Sequence, residues 1–179
     1  NGVAVTSEME LFFELCPCRT IAVTGSDGKT TSTTLISEIL KEAGYRVHLG
    51  GNIGRALLPD IEDVRENDFA VVELSSFQLI SMRRSPDIAV ITNITPNHLD
   101  MHKDMQEYVD AKKNIFQHQG AFSRTVLGVD NDLAASFVGQ TRGQTFEFST
   151  EHPVRSGREF VGQTRGQTFE FSTEHPVRS

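Results

Sequence analysis

The chain has 179 residues, of which 37% are hydrophobic and 23% charged, and its formal net charge is −7. This length suits one full domain and this composition is typical of a globular protein. The acidic balance and the lack of a Lys/Arg block argue against a nucleic-acid surface, because backbone phosphates are bound by clustered cations. No apolar run reaches the roughly 20 residues that cross a bilayer, and no signal peptide is recognisable. We therefore expect a cytoplasmic protein without membrane insertion.

The two cysteines, Cys16 and Cys18, are separated only by Pro17. We expect their side chains to point to opposite sides of the chain, so that a disulfide between them would be strained. One C-x-C without further ligands is also a poor zinc site. The pattern predicts two buried thiols in a reducing compartment.

Strand-like and helix-like segments alternate from residue 19 to about residue 130. Apolar runs predict strands at 20–23, 47–49, 69–72, 88–91 and 125–129. Apolar residues at helical spacing from Leu35 to Ala43, followed by Gly44, predict one helix. A second is expected from Asp104, where Glu107 completes a capping-box pattern, to about Phe116. This alternation predicts an α/β fold with a mostly parallel sheet and flanking helices.

Residues 137–156 are repeated residue for residue as 160–179. Natural repeats diverge and solenoids need at least three units, so the pair indicates an artefact rather than a functional repeat. Each copy contains one potential strand, at 144–148 or 167–171, and the two would compete for a single place in the sheet.

A glycine-containing loop joins the first predicted strand to the first predicted helix. Its residues are Gly25, Ser26, Asp27, Gly28, Lys29, Thr30 and Thr31. Glycines let a backbone approach phosphates closely, and a helix N-terminus offers unpaired N–H groups. Lys29 could neutralise β- and γ-phosphates and the Thr30 hydroxyl could hold Mg²⁺. The first glycine lies only three residues before the second, which departs from the common G-x-x-x-x-G-K-[ST] spacing. A turn without a ligand is the alternative, but the strand–loop–helix context favours a P-loop that binds nucleotide.

Further candidate side chains follow the third and fourth predicted strands, where ligands collect in such sheets. Glu73 ends a buried run and could ligate Mg²⁺ through hard oxygen donors. His98 follows the fourth strand, but Asp100 and His102 nearby leave other ligand sets open. Lysines in the next helix ordinarily belong to a solvated face.

Taken together, these stretches resemble the central domain of the Mur ligases. The short TGSDGKTT loop is similar to the phosphate loop of that family. GGNIG, VVELSSFQL, NITPNHLD and YVDAKKNIF, in this order, resemble the branch that joins D-glutamate to UDP-N-acetylmuramoyl-L-alanine. The likeness covers roughly residues 3–130. It implies a lead-in segment at 1–18, an ATP-binding central domain at 19–136 and a tail at 137–179, with the family's uridine-binding and C-terminal domains expected to be absent.

The resemblance also implies roles for individual residues. Lys29 would bind the ATP phosphates and Thr30 would hold one Mg²⁺, while Glu73 and His98 would hold a second metal near the γ-phosphate and the substrate carboxylate. Asn52 and Ser75 would position the muramoyl-alanine substrate. Lys112 matches the family lysine that carries a CO₂-derived carbamate, an assignment that depends on the Ala-Lys register because Lys113 is adjacent.

The implied reaction is acyl activation, in which a carboxylate takes the γ-phosphoryl group of ATP and an amine then displaces phosphate. A monomeric, cytoplasmic enzyme of peptidoglycan precursor synthesis is expected, poorly active as this chain alone. Two alternatives remain open at this point: another Mur or folylpolyglutamate-type amide ligase, and an ATP-binding module that forms no amide. A structural fragment without nucleotide binding is a third.

Overall fold

The structure, a computed structural model, describes residues 6–95 and 104–150. Its centre is a six-stranded sheet in the order β2-β3-β1-β4-β5-β6, in which every neighbouring pair is parallel. The strands are β1 Arg19–Thr24, β2 Val47–Gly51, β3 Phe69–Glu73, β4 Ile88–Ile91, β5 Arg124–Gly128 and β6 Gln144–Phe148. The prediction of an α/β fold with a mostly parallel sheet is confirmed.

Helices connect these strands on both faces of the sheet. They are α1 Glu8–Leu15, α2 Lys29–Glu42, the 3₁₀ helix Leu58–Asp63, α3 Ser76–Leu79, α4 Met105–Gln117 and α5 Asp132–Ala135. None of the helices in the described part of the chain has the length and apolar character needed to cross a bilayer. The five predicted strands and both predicted helices are present. The strands and the second helix agree to within about two residues at their ends, which is the usual uncertainty of such boundaries, whereas the first helix begins at Lys29, six residues before the apolar pattern that predicted it.

The larger core lies on the face covered by α1, α3 and α4. Phe12 of α1, Leu79 of α3 and Ile115 of α4 are all fully buried there. Of the helices that the structure describes, α2 packs on the other face, where Ile36 and Leu40 contact the strands. The helical spacing of residues 35–43 was predicted correctly, but Leu35 and Ile39 on the same helix are each 59% exposed. The apolar stripe of α2 is thus wider than the part of the helix that packs against the sheet.

The tail contributes one strand to the described structure. The first copy of the repeat supplies β6, which pairs in parallel with β5. The second copy lies outside the described residues, so the expected competition between the copies stays a prediction. The expected division of the chain at residues 18 and 136 also stays a prediction.

Candidate functional site

The phosphate loop spans residues 25–28, between the end of β1 and the start of α2. Gly28 is the N-cap residue of α2 and has φ 75° and ψ 0°, a left-handed conformation that glycine adopts without steric cost. No side chain caps this helix. The N-terminus of α2 therefore presents backbone N–H groups and a positive dipole end that suit an anion.

Gly25 lies against the segment that follows β4. A β-carbon at this position would sit 1.8 Å from the Thr92 hydroxyl oxygen and 3.2 Å from the Asn93 carbonyl oxygen. Such distances are far inside van der Waals contact, so only glycine fits here. The need for glycine at residue 25 comes from packing between two loops.

Asn93 holds the backbone of the phosphate loop. Its carbonyl oxygen accepts a hydrogen bond from the Ser26 N–H at 2.9 Å, and its side-chain Oδ1 accepts from the Asp27 N–H at 2.9 Å. The Thr92 hydroxyl donates to the Asp27 carbonyl at 2.6 Å. These contacts engage the N–H groups of residues 26 and 27, so an anion at this loop would meet the first turn of α2. Sequence reasoning missed Asn93, although it stands directly beside a predicted strand end.

Ser26 links the phosphate loop to α4. Its hydroxyl oxygen lies 2.8 Å from the Tyr108 hydroxyl and accepts a hydrogen bond from the Thr95 N–H at 2.9 Å. Burial raises the pKa of Tyr108, so its phenol stays protonated. The hydroxyl of Ser26, one of the residues predicted to bind nucleotide, is therefore engaged within the protein.

Two lysines lie on the phosphate loop. The Lys29 ammonium donates to the Ser26 carbonyl at 2.9 Å, and Lys112 Nζ donates to the Gly25 carbonyl at 2.9 Å. Lys112 is only 2% exposed and its Nζ lies 4.7 Å from the centre of the Tyr108 ring. The expectation that a helix lysine is solvated is wrong at this position, because α4 turns this residue towards β1.

Burial changes the protonation of Lys112. Desolvation, and to a smaller extent the nearby Lys29 ammonium, together lower its pKa from the ordinary value of 10.5 to about 7. Near neutral pH a large fraction of this side chain is therefore a neutral, nucleophilic amine. Lys113, the neighbouring alternative, is partly exposed and contacts Asp110 at 3.8 Å.

Glu73 lies at the end of β3, next to the start of α2. The Thr30 hydroxyl donates to its Oε2 at 2.7 Å and the Asn52 amide donates to its Oε1 at 2.9 Å. Its side chain is almost fully buried, at 2% exposure for the residue. Among the residues that the structure describes, it forms hydrogen bonds with neutral groups and no ion pair. A buried carboxylate with neutral partners beside a phosphate loop is well suited to bind a cation.

The GGNIG segment is fixed against β3 through its backbone. The Asn52 N–H donates to the Glu73 carbonyl at 2.8 Å. A β-carbon at Gly51, where φ is 94°, would lie 2.2 Å from that same carbonyl oxygen. The amide of Asn52 therefore reaches Glu73 because the chain passes unusually close to the end of β3.

Ser75 has a structural role that its motif explains. Its hydroxyl accepts a hydrogen bond from the Gln78 N–H, and the Gln78 side chain accepts from the Ser75 N–H at 3.0 Å. This capping box starts the short helix α3. The S-x-x-Q spacing within ELSSFQ is a recognised signal for such a cap, so sequence reasoning could have found it.

His98, together with Asp100 and His102, lies outside the described residues. Within 6–95 and 104–150 there is no cluster of three or more His, Cys, Asp or Glu side chains that could hold a metal. The described structure thus brings together Lys29, Thr30, Glu73, Asn52 and Lys112 around one loop. The predicted ligation by His98 stays a prediction.

The parallel sheet, with a glycine-containing loop at the N-terminus of a helix, defines an α/β domain, and the comparisons give its family. A model of the Mur ligase middle domain matches residues 23–177 of the chain. The chain belongs to the Mur ligase family. The expectation drawn from its motifs is confirmed.

The chain is similar to curated members of one branch of that family. It is 57% identical over 157 residues to the UDP-N-acetylmuramoylalanine--D-glutamate ligase of Acetivibrio thermocellus, covering 88% of this chain and 34% of the relative. The ligase of the same name from Ruminiclostridium cellulolyticum is 54% identical with the same coverage. The chain spans about a third of the length of these relatives.

Solved structures share the fold. A UDP-N-acetylmuramoyl-L-alanyl-D-glutamate--2,6-diaminopimelate ligase superposes with a TM-score of 0.66 at 23% identity, over 86% of this chain and 39% of that one. The MurF ligase from Thermotoga maritima in complex with ADP gives a TM-score of 0.65 at 23% identity, over 84% and 38%. At this level of identity the similarity shows a common fold and nothing more.

We expect Gly25→Ala to destabilise the chain, because the new methyl group overlaps the Thr92 hydroxyl. Overpacking of this kind costs about 1–3 kcal/mol. Gly120→Ala is the matched control, since a β-carbon there has no heavy atom within 4 Å. Urea unfolding followed by circular dichroism gives both free energies of unfolding. Equal stabilities of the two variants would show that the phosphate loop is not packed against the segment after β4.

Proposed function

We propose that this chain is the ATP-handling core of a ligase that joins D-glutamate to the L-alanyl carboxylate of UDP-N-acetylmuramoyl-L-alanine. The identity of 57% to a relative of that name supports the choice of branch. The observation that carries the chemistry is the contact of 2.7 Å between Thr30 and Glu73 at the N-terminus of α2. It joins a phosphate-binding helix end to a buried carboxylate, as metal-assisted phosphoryl transfer requires.

A magnesium ion fits the donors at this place. The Thr30 hydroxyl and the Glu73 carboxylate are hard oxygen ligands, and Mg²⁺ is commonly held by one or two such groups together with phosphates and waters. We propose His98 as a further ligand on the basis of its motif. When bound, the ion would offset the negative charge that spreads over the transferred phosphoryl group.

The residues of this chain would act on ATP in a defined order. The first turn of α2 and the Lys29 ammonium hold the β- and γ-phosphates, with Lys29 leaving the Ser26 carbonyl to reach them. The substrate carboxylate attacks the γ-phosphorus, forming an acyl phosphate and releasing ADP. The D-glutamate amine then attacks the acyl carbon and phosphate leaves. Exclusion of water protects the acyl phosphate between the two steps.

Asn52 and Ser75 are proposed to act at the substrate end of the site. Asn52 already donates its amide to Glu73, so its first contribution is to orient that carboxylate. The Ser75 hydroxyl is bonded to Gln78 in the cap of α3. Groups around Ser75 are therefore better placed than this hydroxyl to contact the substrate. Both substrate contacts inferred from the resemblance remain proposals.

Lys112 is proposed to carry a carbamate. Its neutral amine would attack CO₂, form an N–C bond and lose one proton, so that a cation becomes an anion beneath the phosphate loop. Its pKa of about 7 makes the neutral form available, whereas an ordinary lysine is almost entirely cationic at that pH. The anion would lie near Lys29 and would help to orient the metal and its waters.

The chain alone is proposed to turn over poorly, in the cytoplasm and as a monomer. It spans a third of its relatives' length, and two of the three substrates are expected to need contacts from the rest of such an enzyme. D-glutamate-dependent phosphate release by the 179-residue chain would contradict this part of the proposal.

A chimera tests the proposed function. We expect residues 6–150 of this chain, placed in the Acetivibrio thermocellus ligase in exchange for its matching third, to support ADP formation that depends on D-glutamate. Lys29→Ala in the chimera should lower the rate by at least about 100-fold. Lys41→Ala is the matched control, because this lysine lies on the same helix and forms an ion pair with Glu38 at the surface.

Three outcomes of the chimera experiment would contradict the proposal. ATP hydrolysis without dependence on an amino acid would indicate an ATP-binding module. A preference for another amino acid would indicate a sister ligase. A folded chimera that binds no nucleotide would indicate a structural segment.

The carbamate is tested with carbon-13-labelled bicarbonate. We expect a carbamate carbonyl signal in the carbon-13 NMR spectrum of the chain that Lys112→Arg removes and Lys113→Arg leaves in place. The signal should grow as pH rises through about 7, because deprotonation of Lys112 supplies the reacting amine. A signal that survives in Lys112→Arg, or that first appears near pH 10, would contradict the assignment.

A further inference from the structure

Cys16 and Cys18 lie at the junction of α1 and β1, and their sulfur atoms are in contact. The two Sγ atoms are 3.5 Å apart and form a thiol hydrogen bond. The expectation that these two side chains point to opposite sides is wrong, because residues two apart in an extended chain point to the same side. Cys16 is the C-cap residue of α1 and its N–H donates to the Phe12 carbonyl, so the chain leaves a helix here instead of continuing a strand.

The two thiols differ in their access to solvent. Cys18 is buried, with 6% of its surface exposed, whereas Cys16 is partly exposed. The expectation of two buried thiols therefore holds for Cys18 only. A reagent from solution therefore meets Cys16 more readily than Cys18.

The contact also shifts the pKa values of the two thiols in opposite directions. The hydrogen bond from Cys18 lowers the pKa of Cys16 and outweighs burial and the charges of Asp87 and Asp68, which act in the opposite direction. The same hydrogen bond, together with burial, raises the pKa of Cys18. The accessible sulfur is thus the better thiolate, and thiolates are the nucleophiles of disulfide chemistry.

This pair is separate from the proposed nucleotide site. Cys18 immediately precedes β1, while the phosphate loop follows the other end of that six-residue strand. At roughly 3.3 Å per residue, the two ends are about 20 Å apart. In the part of the chain that the structure describes, neither sulfur forms a hydrogen bond with a residue that is proposed to bind ATP.

We propose that Cys16 and Cys18 form a thiol–disulfide exchange site that reacts with low-molecular-weight disulfides such as oxidised glutathione. Cys16 is the attacking residue and Cys18 is the resolving residue. Cys16 is assigned the first step because it is the more exposed of the two, and Cys18 the second because its sulfur contacts that of Cys16.

The exchange proceeds in two steps. The Cys16 thiolate attacks one sulfur of glutathione disulfide, so that a mixed disulfide forms and one glutathione thiolate leaves. Cys18 then gives up its proton and attacks Cys16 Sγ, which releases the second glutathione and forms the Cys16–Cys18 disulfide. Two protein thiols are oxidised and one glutathione disulfide is reduced to two thiols. Because a C-x-C ring is small and strained, the product should be readily reduced again.

The test uses the 179-residue protein, oxidised glutathione and intact-mass spectrometry. We expect the wild-type protein to lose two hydrogens without retaining glutathione, and dithiothreitol to restore the starting mass. Cys18→Ser should stop at one glutathione adduct on Cys16. Cys16→Ser should react at least about tenfold more slowly, because the remaining thiol is buried and weakly acidic.

Two controls distinguish a loss of reactivity from a loss of folding. Circular dichroism checks that both serine variants are folded, and in concentrated urea the two variants should react at similar rates. A stable glutathione adduct on the wild-type protein, a disulfide between two chains, or equal rates for the two folded variants would overturn the proposal. None of these outcomes depends on whether the protein is a ligase.

Discussion

The phosphate loop and the segment after β4 approach each other too closely for any side chain at residue 25. The Thr92 hydroxyl would lie 1.8 Å from a β-carbon there, and Asn93 accepts hydrogen bonds from the N–H groups of the next two residues. The loop therefore takes its shape from a neighbouring strand before any ligand arrives. A preformed loop loses little conformational freedom on binding, which favours phosphate affinity.

The topology of the sheet explains why these groups meet. In the order β2-β3-β1-β4, the phosphate loop leaves the central strand, and its neighbours end beside it at the same edge. Asn52 follows β2, Glu73 ends β3 and Asn93 follows β4. Residues far apart in sequence thus converge because all four strands are parallel and end together. Lys112 completes the group from α4, which covers this edge from the larger core.

Much of this arrangement could be predicted from the sequence. Apolar runs located the first five strands, and GKTT between a strand and a helix located the phosphate loop. These signals are local, so one stretch of sequence contains the whole pattern. The burial of Lys112 could not be derived in this way, because a lysine on a helix looks solvated until the helix is placed against β1. The exposure of Leu35 and Ile39 and the contact of the two cysteine sulfurs likewise depend on packing and on the end of α1.

A structure of the chain with a non-hydrolysable ATP analogue and Mg²⁺ tests the central claim most directly. The account predicts that the β- and γ-phosphates lie at the N-terminus of α2, with Lys29 Nζ moved from the Ser26 carbonyl onto them. It predicts a magnesium ion about 2.0–2.1 Å from the Thr30 hydroxyl oxygen, with Glu73 bound to the ion directly or through one water. A nucleotide bound elsewhere, or a metal with Glu73 outside both positions, would contradict it.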